Sequence, residues 1–143
     1  MRVESLLAVK GGAVATIAAD APVSDAVAEL ARHGIGALVV SGDGEHIEGI
    51  LSERDIVRAL AMPGRSVLTE PVGSIMTAAV ATTTPEEEVD SLMTVMTNRR
   101  VRHVPVVRDG LLCGIVSIGD VVKSRIDELE KDRKELVEYI TAR

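Results

Sequence analysis

Apolar residues recur at helical spacing in two places. Val23, Val27, Leu30 and Ala31 form one set, and Val89, Leu92, Met93 and Met96 the other. They predict amphipathic helices from about Val23 to His33 and from about Pro85 to Asn98. A short apolar run precedes each helix ("VATI", "AVATT") and predicts a strand. Two more runs follow each helix, "ALVV" with "IEGIL" and "HVPVV" with "LLCGIV". The turns between those runs contain Asp43-Gly44 and Asp109-Gly110, which are hairpin signals. A further helix then starts, so the order strand, helix, strand, strand, helix is written twice. The last helix runs from about Asp120 to Ile140. Its stripe of Val122, Ile126, Leu129, Leu136 and Ile140 is interrupted by Arg133, and its other faces are charged. A helix of this length predicts packing against the partner half or against a second subunit.

The duplication extends to single residues. A shift of 66 lays Val14, Ala15 and Thr16 on Val80, Ala81 and Thr82, and Leu30 on Met96. A shift of 65 lays Gly49, Ile50, Ser52, Asp55 and Val57 on Gly114, Ile115, Ser117, Asp120 and Val122. The change of register falls in the loop between Val40 and Gly49, where length changes are cheap. This divides the chain into a first repeat with its N-terminal segment (1–61), a linker (62–75) and a second repeat with an extended C-terminal helix (76–143). The linker carries Pro63, Gly64, Pro71 and Gly73 and has room for one helical turn. A repeat of some sixty residues buries too little to stand comfortably alone, so a shared core is expected.

Composition narrows the function. With 46% hydrophobic residues over 143 the chain can build a core, but with one Tyr and no Phe or Trp that core is aliphatic. The net charge of −6 argues against nucleic acid as a partner, because phosphate binding needs clustered cations. Stacking platforms for single strands are also missing. The single Cys113 excludes an intrachain disulfide and is read as a buried strand residue. His33 and His46 are read as helix-end or loop residues; no histidine pair has metal spacing, and no metal site is expected. Arg99 and Arg108 are read as solvated edge residues, and Met93 and Met96 as core filling. No phosphate-binding glycine loop or nucleophile elbow appears, so no enzyme activity is expected. The N-terminus "MRVESLLAVKGG" is broken by Glu4 and Lys10 and makes a poor signal peptide. No apolar stretch spans a bilayer, and the expected setting is cytoplasmic.

The candidate chemistry lies in the phrase that closes each repeat, "GILSERDIV" (49–57) and "GIVSIGDVV" (114–122). Ser-x-x-Asp after a strand resembles a capping box, in which Ser caps the helix and the residue three on reaches back. That box prefers Glu or Gln in the third position, and both copies here use the shorter Asp. A strand-to-helix turn also exposes backbone N–H groups to an anion. A carboxylate beside it accepts two hydrogen bonds from a ribose diol, and a serine hydroxyl suits phosphate. The phrase therefore reads as a grip for a nucleoside phosphate as well as a helix start.

This tandem β-α-β-β-α repeat, closed twice by Gly-h-h-Ser-x-x-Asp-h-[Val/Ile] (h apolar), resembles a pair of cystathionine-β-synthase (CBS) domains, a Bateman module, from about Val14 to Lys123. It is similar to the small stand-alone members with no attached enzyme or channel. The resemblance implies an α+β fold with the two copies packed about a pseudo-twofold axis and two clefts between them. It implies adenosine ligands: AMP, ADP or ATP, with NAD(H) and S-adenosylmethionine as further candidates, and no required cofactor. By resemblance the ribose is held by Asp55 in one cleft and Asp120 in the other. Phosphate is met by Ser52 and Arg54 or by Ser117 and Gly119, and a basic pair from the opposite repeat, Arg102-His103, faces Asp55. Gly36 and Ala37 stand opposite Asp120. The adenine near Asp55 would touch the segment from Met76 to Ala81, Met76, Ala79 and Ala81 foremost, and that near Asp120 would touch the segment from Val14 to Ile17, Thr16 and Ile17 foremost. The Asp55 cleft is thus expected to be the strong site and the Asp120 cleft the weak one. The function implied is a regulatory nucleotide-binding module for energy or redox sensing, homodimeric, acting on an enzyme or transporter. The alternative is a ligand-free dimerisation or adaptor protein working through its surface and final helix.

Overall fold

The computed structural model describes residues 1–142 and is α+β, with five α-helices and two small sheets among them. The chain runs α1 (Val3–Lys10), β1 (Thr16–Ile17), α2 (Val23–His33), β2 (Ala37–Val40), β3 (Gly49–Ser52) and α3 (Glu53–Leu60). After two 3-10 turns it continues with α4 (Val89–Arg99), β4 (His103–Arg108), β5 (Leu111–Ser117) and α5 (Ile118–Thr141). In the first sheet β1 lies parallel to β2, and β2 antiparallel to β3. In the second sheet β4 and β5 pair antiparallel with a register shift between Val106 and Val107. The Asp109-Gly110 turn has positive φ at both residues (52° and 78°), as a tight hairpin requires.

Two aliphatic clusters follow the two repeats. The first joins Leu38, Val40 and Leu51 of the sheet to Val23, Ala26 and Leu30 of α2, and to Ile56 and Ala59 of α3. Val67 and Val72 of the linker complete it. The Val72 and Gly73 amides donate to the carbonyls of Ala21 and Ala19, both at 2.8 Å. The predicted linker is therefore a packed part of the first core, with Arg65 paired to Glu70 at 2.7 Å. The second cluster joins Val89, Leu92 and Met96 of α4 to Val104, Val106, Val116 and Val121.

Several expectations change. The N-terminal segment, grouped with the first repeat in the sequence reading, forms α1 and buries Val3 and Leu6 in the second cluster. It takes the hydrogen bonds that an early start of α4 would have used. Val3 and Glu4 donate to the carbonyls of Glu87 and Pro85, and Val89 donates to Met1. The helix expected from Pro85 consequently begins at Val89. The strand expected at "AVATT" is reduced to one parallel bridge, Thr83 on Val106. Cys113 sits on β5 but is half-buried.

The opening glycine of each repeated phrase is explained by close packing. A Cβ on Gly49 would lie 2.7 Å from Met76 Sδ and 2.8 Å from the Thr77 carbonyl oxygen. A Cβ on Gly114 would lie 2.6 Å from Leu7 Cδ2. The segment entering each repeat thus lies on the third strand of the other. Ile50 and Thr77 exchange two backbone hydrogen bonds of 2.9 Å.

Candidate ligand-binding clefts

Both repeated phrases form complete capping boxes. Ser52 Oγ accepts from the Asp55 amide, and Asp55 Oδ2 accepts from the Ser52 amide at 2.9 Å. Ser117 Oγ accepts from the Asp120 amide, and Asp120 Oδ2 accepts from the Ser117 amide at 2.8 Å. The sequence argument that Asp is too short for the reach is corrected: with Ser extended at the N-cap, Asp closes the box. The caps also order the helix starts of α3 and α5, whose dipoles favour negative charge nearby.

The two aspartates differ in what else touches them. Asp55 Oδ1 accepts from Thr77 Oγ1 at 3.2 Å, a neutral donor. Asp120 Oδ2 accepts from Lys10 Nζ at 2.7 Å, and the same ammonium donates to the Ile115 carbonyl at 2.9 Å. Partial burial pushes the Asp120 carboxyl up. The Lys10 ammonium and the Ser117 amide and hydroxyl more than offset this, so its pKa lies below the usual carboxylate value.

A cavity of about 580 Å³ opens beside Asp120. Ser117, Asp120, Ile115, His103 and Lys10 line one side; Ala13, Val14, Ala15 and the 33–37 segment line the other. Gly36, Ala37, Ser117 and Asp120 are therefore brought together as expected for that cleft. Thr16 and Ile17 are not among the lining residues. They pair with Val39 and Val40, further along the sheet from Ala37 at the cavity, and Ile17 is buried in the first core. Val14 and Ala15, expected beside them, do line it, together with Ala13. Gly119 is exposed and also lies outside the lining.

His103, expected opposite Asp55, lines the Asp120 cavity, because the β4–β5 register sets it across from Ser117. Its ring also abuts the first repeat: a Cβ on Gly36 would lie 3.2 Å from His103 Cε1 and 3.5 Å from Glu53 Oε1. Burial lowers the His103 pKa; Glu53 opposes this, Lys10 reinforces it, Asp120 opposes it and Arg102 reinforces it. Around Asp55 the structure gathers Ser52 and Thr77, while Met76 packs on Gly49. Arg54 Nη1 donates to the Arg100 carbonyl at 3.1 Å, which ties α3 to the segment before β4. Arg102 is exposed and its carbonyl accepts from the Ile118 amide. Ala79 is exposed and Ala81 is buried.

The Asp120 cavity fits a small nucleotide in size and chemistry. Its volume lies within the ordinary range of roughly 300–1,000 Å³ for such sites. Its aliphatic wall (Val14, Ile35, Ala37) suits a base, an acceptor carboxylate suits a diol, and a lysine and a capped helix start suit an anion. Lys10 is the functional candidate that sequence reasoning missed. The 66-residue shift places it on Met76, which that reasoning did assign to the Asp55 cleft, so the repeat itself carried the signal.

Comparison with known proteins agrees with this architecture. The family model described as "CBS domain" matches residues 12–62 and 72–127. A CBS-domain containing protein of Agrobacterium tumefaciens has a crystal structure that superposes with a TM-score of 0.83 at 44% identity, covering 87% of this chain and 99% of that one. A CBS-domain protein from Pyrobaculum aerophilum, complexed with AMP, matches with a TM-score of 0.74 at 28% identity over 84% of this chain and 89% of that one. A CBS domain pair in complex with 5′-methylthioadenosine and S-adenosyl-L-methionine matches with a TM-score of 0.78 at 26% identity over 90% and 98%. The mitochondrial CBS domain-containing protein CBSX3 of Arabidopsis thaliana is 42% identical over 125 residues, 85% of this chain. The chain spans 61% of that relative's length.

Proposed function

The chain belongs to the CBS-domain family, and we propose that it is a regulatory module that binds an adenosine nucleotide between its two repeats. The observation that carries this reading is the cavity of about 580 Å³ in which Ser117 and Asp120 of one repeat face Gly36 and Ala37 of the other. AMP, ADP and ATP are the leading candidates. In the Asp55 cleft the ligand would be held by Ser52, Asp55, Arg54 and Arg102. A ligand in contact with both repeats alters their relation by the difference in its affinity for the two arrangements. That change would be passed to a regulated enzyme or transporter.

Titration calorimetry with AMP, ATP and NADH tests the reading, using the native protein and the Asp55→Ala and Asp120→Ala variants. Saturable binding, weakened at least tenfold by one of the substitutions, is the expected result. A native protein that binds no adenosine compound sinks the proposal. Melting offers a parallel check, since ligand at a hundred times its dissociation constant adds about 2.7 kcal/mol. A cytoplasmic location belongs to the same reading. Fluorescent tagging of the full-length protein checks it, and an organellar signal, in keeping with the mitochondrial relative's name, overturns it.

A second reading is favoured by the exposed apolar stripe of α5, in which Leu129, Leu136 and Ile140 are each about 60% or more accessible. Here the protein is an adaptor that dimerises and acts through that surface, and nucleotides leave its melting temperature unchanged.

A further inference from the structure

We propose that Lys10 is an exchange latch that makes the Asp120 cleft select adenosine ligands bearing a phosphate over uncharged nucleosides and over the cationic S-adenosylmethionine. This rests on the nucleotide reading and adds the ligand class and the residue that sets it. Lys10 ends α1, which Val3, Leu6 and Leu7 hold on the second core. Its ammonium lies 2.7 Å from Asp120 Oδ2, so one oxygen of the carboxylate that would take both hydroxyls of a ribose diol is already engaged. Asp55 is different, because its extra partner is the neutral Thr77 hydroxyl.

A diol that displaces Lys10 from Asp120 removes the lysine's counter-charge. Asp120 is the one acidic residue among those lining the cavity. His33 and His103, which also line it, supply no negative charge in either protonation state. No other cavity-lining side chain carries a negative charge to answer the released ammonium, so a counter-charge must come from the ligand. A phosphate does so, and Lys10's four-carbon stem lets the charge swing to it while α1 stays docked. An uncharged nucleoside leaves the ammonium with the Ile115 carbonyl but with no counter-charge in a half-enclosed space. S-Adenosylmethionine carries a carboxylate at its far end, but its sulfonium stands at the 5′ carbon, where it places a second positive charge beside the lysine.

Amide shifts of Ala15, Gly34 and Ser117, which line the cavity, report on this cleft alone. We would titrate the full chain with AMP, adenosine and S-adenosylmethionine, as native protein, Lys10→Met and Lys10→Arg. The native protein and Lys10→Arg should bind AMP at least tenfold more tightly than adenosine, and S-adenosylmethionine most weakly. In Lys10→Met the gap between AMP and adenosine should close to within threefold, with adenosine binding unchanged or tighter because Asp120 has been released. A loss of affinity shared equally by AMP and adenosine, or a gap that survives in Lys10→Met, overturns the latch and leaves the nucleotide reading standing. A native protein that shows no shift with any of the three overturns both.

Discussion

Leu7 of α1 rests on Gly114 of β5 so closely that a methyl group on the glycine would fall 2.6 Å from Leu7 Cδ2. The same arrangement recurs at Gly49, where the obstacle includes the backbone oxygen of Thr77 at 2.8 Å as well as the Met76 side chain. A leucine tip can rotate away, whereas a carbonyl held in a hydrogen-bonded pair with Ile50 cannot. Gly49→Ala should therefore cost about 1–3 kcal/mol, the range for overpacking, and Gly114→Ala less. Urea denaturation of the two variants decides this, and equal costs or the reverse order would contradict the packing argument.

The histidines should separate in an NMR pH titration. His46 Nδ1 lies 2.6 Å from Asp43 Oδ2, and this hydrogen bond and charge raise its pKa above the ordinary value near 6.5. Burial lowers that of His103. The signs of the stability effects are opposite. His46 gives support that is present below about pH 6.5 and is lost as pH rises through its raised folded value. For His103 the unfolded chain takes up the proton first, so stability falls as pH drops from about 6.5 through its lowered folded value. Titrating the ring proton resonances checks the order, and His46→Gln should abolish only the first effect. A His103 that titrates above His46 would refute the assignment.

The stripe on α5 has the spacing of a two-stranded seam. Val122, Ile126, Leu129, Arg133, Leu136 and Ile140 follow one another at alternate steps of four and three, with isoleucine and leucine on alternate positions and one arginine within the series. We expect two copies to associate along it, giving twice the 15.1 kDa chain mass in sedimentation. Leu129→Glu with Leu136→Glu should return single chains. A native protein that sediments as a single chain at micromolar concentration rules the seam out.

Much of this architecture could be read from the chain because its signals are local. The span of α2, Val23 to His33, follows from apolar spacing, and Gly34 at φ 63° ends it. The hairpins follow from their Asp-Gly pairs, and the starts of α3 and α5 from Ser-x-x-Asp. What could not be read was carried by contacts distant in sequence. The eight residues of α1 have no side-chain cap, and they are helical because Val3 and Leu6 have a remote core to enter. Lys10 and Asp120 are 110 positions apart, and only the alignment of Lys10 on Met76 between the repeats links the two in the sequence. Thr16 and Ile17 were assigned to the cavity wall because the sequence fixes their strand but not how deep along it the opening lies.

Helix α1 also bears on how the protein is made. It leaves the ribosome well before β5 and α5, against which it packs. Contacts of such sequence separation carry a heavy loop-closure cost and form late. The first core, complete by Met76, can assemble while translation continues, but α1 must wait for β5 and α5. Until then its apolar side has nothing to cover it. The same delay applies to Lys10, so the Asp120 cleft reaches its final charge only when α1 and α5 meet.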